Sequence, residues 1–501
     1  MRAVLFKGLG DLVPLYGLYA LLFADHGLST GQISSLFALW SCTAFLLEVP
    51  SGAWADTVSR RGLLVLGGLL STSGFALWTV APSYLGFAVG FVLWGISGAL
   101  LSGTFEALLY DELCAKPAVA VATAYPRVLG HTRAAAEAAV FLGILLGTPL
   151  YLLGGYALVG WVSVGFGVLH TLAAMSLPSA AKAVSALDVD ALEELVDEQP
   201  VAEESGTAEA VRSPAAADRV GEVAASPDRG SGAGVSETDR GCSDDGALED
   251  GGSAVGRCRE FAARQEHIHY ADRNTATESL AAGMRRSARR PFARYLRMLR
   301  TGVAESIRIR AVRNGVLLAA LLSGITAFDE YFGLLAESVG VATVLVPLLV
   351  GVTVFGSFVG SLLAGRTEGM SGRTMAAMVG GGGALMLVGS LVAGTAAGNP
   401  HAVYALAGLG FVAIGAAYGL VYNAGVVAQA RLQDTIEGPA RATVLSVSGL
   451  LGEVFALAVF GFVAVVGTWW PMPVVVAVLA LSLPVIAIFG RSWLPPRVAP
   501  S

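Results

Sequence analysis

The sequence contains few charged residues and few cysteines. Asp, Glu, Lys and Arg make up only 14% of its 501 residues, against about a quarter in soluble domains, while hydrophobic residues reach 54%. This shortage of charge excludes an ordinary soluble protein and predicts an integral membrane protein. The four cysteines are far apart, which argues against a disulfide framework. The formal net charge of −6 gives no support to nucleic-acid binding, so we expect no nucleic-acid partner.

The sequence also lacks the residue clusters on which most enzymes depend. It has no Gly-rich loop followed by Lys and Ser or Thr, so nucleotide-driven transport within this chain is not expected. His131 and His170 are isolated, and no nucleophile lies beside a base, so the sequence does not predict an enzyme. Cys242 and Cys258 match no familiar metal-ligand spacing. We therefore expect neither a metal nor a cofactor.

Long apolar segments fill both ends of the chain. A membrane-spanning helix needs about 20 mostly apolar residues. Twelve segments qualify: 3–23, 31–52, 62–80, 84–109, 128–152 and 156–177 in the first half (1–177), and 313–336, 341–364, 374–397, 402–429, 442–466 and 471–490 in the second half (312–490). Alternate connections carry Arg or Lys, as the positive-inside rule requires of cytoplasmic ones. We predict twelve spans in a bacterial inner membrane, with both termini and the tail 491–501 in the cytoplasm.

The residues between the two apolar halves differ in composition. Residues 178–280 are rich in Ala, Gly, Ser, Asp and Glu and nearly free of aromatics, which predicts a disordered acidic linker in the cytoplasm. Residues 281–311 are strongly basic, and apolar residues such as Phe292, Tyr295 and Leu299 recur there at helical spacing. This pattern predicts an amphipathic helix bound to anionic lipid within 285–313, and a solvated basic tether explains it equally well.

A charged turn joins the second and third predicted spans. It reads Gly-Ala-Trp-Ala-Asp-Thr-Val-Ser-Arg-Arg and contains Gly52, Asp56, Arg60 and Arg61. The pattern resembles the loop between spans 2 and 3 of major facilitator superfamily transporters, with Ser59 where the family usually has a second Gly. The resemblance implies an all-α membrane fold of two pseudo-symmetric six-helix bundles. It also implies alternating access to a small-molecule substrate that binds between the bundles.

The same resemblance implies roles for the charges of this turn. In the family, the loop Asp caps the eleventh span, and the loop Arg pairs with an acid at the end of the fourth. Here the eleventh span begins near residues 438–441, and the fourth ends near Asp111. Asp56 and Asp111, with Arg60 or Arg61, are therefore predicted to form a latch that holds one transport state. The alternative is a solvated turn whose ion pairs contribute little.

Ionisable residues inside the spans are candidates for proton and substrate binding, because charge within a bilayer is costly. Arg133 and Glu137 are four residues apart, so we predict an ion pair on one helix face. Asp11 and Glu453 have no obvious partner in their own helices. We expect Asp11 first and Glu453 second to carry protons, since an acid in span 1 resembles the proton-coupling acids of some drug/proton antiporters. The remaining cavity candidates are Asp329, Glu330, Asn423, Tyr16, Tyr19, Tyr418 and Tyr422.

The direction of transport has one weak indicator in the sequence. Gly143-x-x-x-Gly147 in span 5 is similar to a Gly-rich signature of antiporters, although ordinary close helix packing explains it equally well. We predict a monomeric secondary transporter, driven by the proton gradient, that exports a drug-like or secondary-metabolite compound. The alternatives are a proton-coupled uptake symporter for a small solute and a membrane sensor or scaffold that does not transport.

Overall fold

The structure, a computed structural model, describes residues 1–115, 121–178, 309–436 and 441–496. The predicted acidic linker falls outside these residues. So does the predicted basic helix, except that Arg310 already belongs to the helix of span 7. Within the described part of the chain the regular structure is entirely helical, as predicted.

Six spans make up the first half. Span 1 comprises Arg2–Asp11, the 3-10 turn Pro14–Gly17 and Tyr19–Asp25; span 2 is Thr30–Thr57; span 3 is Arg60–Val80; span 4 comprises Tyr84–Leu101 and Thr104–Cys114; spans 5 and 6 share Val121–Met175. Spans 2, 3 and 4 begin at Ser29, Ser59 and Ser83, whose hydroxyl oxygens accept backbone N–H groups of the first helical turn. These serine caps fix where each helix starts after its short turn.

Six further spans make up the second half. Span 7 comprises Arg310–Ile325, the 3-10 turn Thr326–Tyr331 and Phe332–Ser338; span 8 is Val346–Thr367; span 9 is Gly372–Thr395; span 10 is Val403–Thr435; span 11 is Arg441–Val466; span 12 comprises Met472–Ala480 and Ser482–Trp493. Span 12 therefore extends slightly into the predicted tail.

The helix Val121–Met175 contains two spans. Its apolar part, Arg127–Met175, would be about 73 Å long if straight, more than twice the bilayer core. Gly155 breaks the helix with φ 59°, in the left-handed region that favours glycine. Eleven membrane-length apolar helices among the described residues thus give twelve spans, which confirms the predicted number.

Contacts with span 1 show that the chain turns back at this break. Added Cβ atoms at Gly8 and Gly143 would contact Ala135 and Val13, so the part before the break runs parallel to span 1. After the break the helix runs antiparallel to span 1. There Ser163 lies beside Leu15, whereas His170 lies beside Phe6.

The first span of each half is discontinuous at mid-length. Span 1 leaves helical geometry after Asp11, and the N–H group of Leu15 donates to Ser163 Oγ at 3.1 Å instead of to its own helix. Span 7 tightens into a 3-10 turn that carries Asp329 and Glu330. Helix interruptions of this kind are tolerated in a membrane where neighbouring groups satisfy the freed backbone. They bring polar groups to the middle of the molecule.

Both ends of each bundle lie on one side, which we call the terminal side. In the first bundle, Arg2 donates to the Ser176 carbonyl at 3.0 Å, joining the start of span 1 to the end of span 6. In the second, a Cβ added at Gly315, near the start of span 7, would lie 2.8 Å from Pro495 Cγ, just beyond the end of span 12. An even number of spans in each half requires this arrangement.

Hydrogen bonds between the bundles avoid the terminal side in the described residues. Thr148 donates to the Val344 carbonyl at 2.9 Å, and Tyr331 donates to Ser34 Oγ at 2.8 Å, both toward the opposite side. Two more lie near mid-depth and join Ser41 to Glu453 and Tyr422 to Glu137. The bundles are therefore joined on the side opposite the termini.

Candidate functional site

A cavity of about 230 Å³ lies between the two bundles at the level of the broken spans. We call it the central cavity. Residues of spans 1, 4 and 5 form one wall, and residues of spans 7 and 8 form the other. Its polar and aromatic lining residues are Tyr16, Tyr19, Trp94, Asp329, Glu330, Phe332 and Thr353. Of the described residues that line it, none is Lys, Arg or His.

The acidic wall comes from the 3-10 turn of span 7. Asp329 accepts a hydrogen bond from the Tyr418 hydroxyl at 2.6 Å. Glu330 differs, because no described residue donates to its carboxylate or pairs with it.

The aromatic wall belongs to the first bundle. The Tyr16 ring stacks on Trp94 with centroids 5.5 Å apart, and Trp94 stacks on Trp40 at 5.1 Å. Tyr19 packs edge-on against Trp94 at 6.5 Å. The sequence identified both tyrosines as candidates but missed Trp94, which no pattern distinguishes from an ordinary packing residue.

Asp11 ends the first helix of span 1 and does not line the central cavity. Lys7 precedes it by four residues, the spacing that puts two side chains on one helix face. Among the described residues, however, Lys7 and Asp11 form no ion pair, and Lys7 Nζ lies 5.1 Å from the centroid of the Phe105 ring. The expectation that Asp11 has no partner in its own helix stays a prediction.

A second cavity of about 600 Å³ opens between the bundles nearer the terminal side, and we call it the terminal cavity. Its polar lining residues are Arg133, Glu137, Ser361, Tyr422, Gln429 and Gln433. Glu137 accepts a hydrogen bond from the Tyr422 hydroxyl at 3.2 Å, which joins span 5 to span 10.

The predicted Arg133–Glu137 ion pair is replaced by another. Arg133 Nη2 lies 3.8 Å from Glu106 Oε1, and the side chains are 73% and 46% exposed. Helical spacing allows the Arg133–Glu137 contact, but the exposed guanidinium reaches outward to span 4 while Glu137 turns toward the other bundle. An ion pair this exposed contributes little to stability.

Glu453 connects the bundles through span 2. Its carboxylate accepts a hydrogen bond from the Ser41 hydroxyl, a residue of the opposite bundle. Glu48, about two helical turns beyond Ser41 on span 2, accepts a hydrogen bond from the Ser102 hydroxyl at 3.0 Å. One sequence gives no signal for the Ser41–Glu453 contact, because the two residues are 412 positions apart.

The charged turn after span 2 forms the ion pair that the sequence left open between two arginines. Arg60 pairs with Asp111, and their side chains are only 11% and 4% exposed. Arg61 instead donates to the Leu177 carbonyl at 3.4 Å. Gly52 and Asp56 lie in the helix of span 2, but the Asp56 side chain and residues 437–440 are outside the described part of the structure. The predicted Asp56 cap on span 11 therefore stays a prediction.

Asn423 and the span 5 glycines have packing contacts. Asn423 is buried, donates to the Gly360 carbonyl at 2.8 Å and accepts from Thr367 at 3.0 Å, so it joins spans 8 and 10 and does not line the central cavity. A Cβ at Gly143 would lie 2.9 Å from Val13 N, and one at Gly147 would lie 3.3 Å from Pro347 Cγ. Close helix packing thus accounts for the spacing of these glycines.

Comparison with known proteins gives a family. The profile described as Major Facilitator Superfamily matches residues 8–452, whereas no curated protein matches the chain. Among solved structures, the nucleoside transporter NupG is similar with a TM-score of 0.58 at 10% identity, over 98% of this chain and 98% of its own. The peptide transporter POT has a TM-score of 0.57 at 11% identity, over 97% and 92%.

These similarities bear on different questions. At such low identity the two solved structures show a shared fold and nothing about cargo. The family match is broader evidence, because it runs from span 1 into span 11 and includes both bundles and the central cavity. The chain therefore belongs to the Major Facilitator Superfamily and is a multi-pass membrane transporter, not an enzyme.

Proposed function

We propose that this transporter exports a small organic molecule in exchange for protons, by alternating access, in a bacterial inner membrane. The observation that supports it is the central cavity, which holds two carboxyl groups and no basic side chain among its described lining residues. Groups that bind and release protons thus lie where the family binds cargo. No cofactor is needed, because the proton gradient supplies the driving force.

The arrangement of the bundles fits loading from the cytoplasm. The distribution of Arg and Lys places the termini in the cytoplasm. With that orientation, the hydrogen bonds at Thr148 and Tyr331 close the outer side, while the terminal cavity opens inward. Rocking of the bundles about the central cavity would then expose cargo to the outside.

Two other functions compete with export. Uptake by proton symport uses the same cavity and the same carboxyl groups, and the structural neighbours are named for nucleosides and peptides. An acidic, aromatic cavity favours cationic or lipophilic cargo, which suits export better. A sensor or scaffold that does not transport would have no use for an acidic cavity between two bundles. The monomeric state and the binding of segment 285–313 to anionic lipid stay predictions.

Export is tested in everted membrane vesicles that contain the chain. We expect an imposed proton gradient, acidic inside, to drive accumulation of compounds from a panel of radiolabelled organic cations, nucleosides and dipeptides. A protonophore should abolish the accumulation, because the gradient is the only energy source.

Vesicles from cells without the chain are the control. Accumulation that survives complete collapse of the gradient would contradict proton coupling. Accumulation in right-side-out vesicles, acidic outside, with none in everted vesicles would identify uptake instead.

The hydrogen bond between Tyr422 and Glu137 should hold the bundles together at mid-depth. The bond is present in the form described here, whose terminal side is open. Tyr422→Phe removes a net contribution of about 1 kcal/mol from that form, so the ratio of open to closed forms on the terminal side should fall about fivefold. Electron–electron resonance distances between spin labels at Arg127 and Gln433, in a cysteine-free background, would measure this ratio.

Tyr404→Phe is the matched control, since Tyr404 lies on the same span and is 60% exposed. It should leave the distance distribution unchanged. A Tyr422→Phe distribution identical to that of the control would show that the bond does not restrain the bundles.

A further inference from the structure

Of the two carboxyl groups that line the central cavity, Glu330 is the one to which no described residue donates a hydrogen bond. The side chain is half-buried and lines the cavity. Asp329, its neighbour, already accepts a hydrogen bond from the Tyr418 hydroxyl. A buried carboxylate without a partner is costly, so Glu330 needs either a proton or a cation beside it.

The groups around Glu330 offer it no positive charge. The titratable groups within its electrostatic reach are Asp329 and Tyr331 on its own span, Tyr16 on span 1 and Tyr418 on span 10. All of these are neutral or negative near neutral pH. The described residues of the cavity lining include no Lys, Arg or His that could take the place of a ligand's charge.

The opposite wall is suited to the remainder of a cationic ligand. Tyr16, Tyr19 and Trp94 line the same space, and the Trp94 ring stacks on the rings of Tyr16 and Trp40. Aromatic faces attract ammonium groups through the ring quadrupole, most strongly when water is excluded, and indole is the best of them. A single carboxylate facing an aromatic wall is the arrangement expected for binding an organic ammonium ion.

Cavity size restricts the ligand further. Drug-sized ligands occupy pockets of about 300–1,000 Å³, and the central cavity has about 230 Å³. The fit is therefore to a small cation with one ring or a few alkyl groups. This is a smaller cargo than the drug-like compound that the sequence suggested.

We propose that Glu330 binds a small organic ammonium ion in the central cavity and gives up its proton when the ion binds. The exchange is balanced in atoms and charge: the neutral carboxyl group releases one proton to water, and the resulting carboxylate pairs with one monovalent cation. The inference rests on the proton coupling proposed above. It moves the coupling role from Asp11, which does not line the central cavity, to Glu330.

Equilibrium binding to the purified full-length chain in detergent tests this without a gradient. The probe is radiolabelled benzyltrimethylammonium, and its neutral competitor is neopentylbenzene, in which carbon replaces the nitrogen. We expect saturable binding of the cation that weakens as the pH falls, because protons compete for the same carboxylate. One proton should be released per cation bound, measured with a pH dye in weak buffer. Neopentylbenzene should not compete.

Glu330→Gln keeps the size of the side chain and removes its charge. We expect this variant to bind the cation at least about tenfold more weakly, as when one member of a desolvated charge pair is lost. Its residual binding should no longer depend on pH. Glu337→Gln, on the same span and outside the lining of the cavity, should bind like the wild type.

Trp94→Leu provides an independent test should Glu330→Gln fail to fold. It should weaken cation binding through the lost cation–π contact but leave the release of one proton unchanged. Three results would overturn the proposal: no saturable binding to the wild type, equal competition by neopentylbenzene, or Glu330→Gln binding equal to that of the wild type.

Failure of this inference and failure of the proposed function give different results. Cation binding with proton release, in a protein whose vesicles show no gradient-driven movement, would support the Glu330 site and contradict proton-coupled export. Gradient-driven movement of a neutral compound, with no cation binding, would support proton-coupled export and contradict the cation site.

Discussion

Asp111→Arg is expected to destabilise the transporter by about 3–5 kcal/mol, because it leaves two guanidinium groups facing each other in a buried site. Arg60 and Asp111 are almost fully covered, so water cannot screen the repulsion. The reversed pair, Arg60→Asp with Asp111→Arg, should recover part of the loss. Thermal unfolding in detergent measures stability, and the vesicle assay measures whether transport recovers with it.

The neighbouring arginine supplies the matched control. Arg61 donates to the Leu177 carbonyl, so Arg61→Asp with Asp111→Arg should recover neither stability nor transport. Recovery through Arg61 and not through Arg60 would contradict the pairing. Stability that recovers while transport does not would make the pair a structural contact rather than a latch between transport states.

The turn between spans 8 and 9 corresponds to the charged turn between spans 2 and 3, and it is held by different contacts. Arg431, on span 10, donates to the carbonyl oxygens of Glu368 and Met370 in the turn between spans 8 and 9, including a 2.6 Å bond to Met370. The cation thus lies on the span, and the loop contributes backbone oxygens.

Gly360→Val is expected to cost about 3 kcal/mol or more in stability, the upper part of the range for overpacked sites. A Cβ at Gly360 would collide with the Gly419 carbonyl where spans 8 and 10 cross. The added side chain would also displace Asn423, which donates to the Gly360 carbonyl. Chemical or thermal unfolding of the purified variant gives the size of the effect.

Gly365→Val on the same helix separates crowding from backbone effects. No atom lies within 4 Å of a Cβ at Gly365, so the variant gains the same helix preference without the collision. It should be at least as stable as the wild type. Equal stability of the two valine variants would show that spans 8 and 10 can separate at no cost.

The two mid-depth glutamates occupy related places in the two halves. Glu137 is two residues after Ala135, which packs near Gly8 of span 1. Glu453 directly follows Gly452, which packs near Ser323 of span 7. Each accepts a hydrogen bond from a hydroxyl of the other bundle. Because rocking of the bundles would break or move these contacts, we expect both glutamates to act on the conformational equilibrium rather than in the central cavity.

Local patterns in the sequence predicted much of the fold. Twelve apolar segments, short turns and the alternation of Arg and Lys gave the correct number of spans, including the division near Gly154 and Gly155. Hydrophobic length is a property of contiguous residues, which is why it can be read along the chain. The family resemblance of the turn from Gly52 to Arg61 was confirmed by the match over residues 8–452.

The site was predicted less well, because its contacts join distant parts of the chain. Asp329 and Glu330 were candidates among several acids, but nothing local indicated that Tyr418 satisfies one and leaves the other unpaired. Spacing alone predicted the pair of Arg133 with Glu137, and the exposed arginine took a partner on span 4 instead.

The sequence by itself determined that this protein is a twelve-span transporter with charged turns and buried acids, since bilayer length and charge cost act on each segment separately. Only the tertiary structure decided which arginine pairs with Asp111 and which acids line the central cavity. Those choices depend on how two bundles far apart in sequence pack against each other. Glu330 stands out for that reason, because its lack of a partner becomes visible only when all surrounding spans are in place.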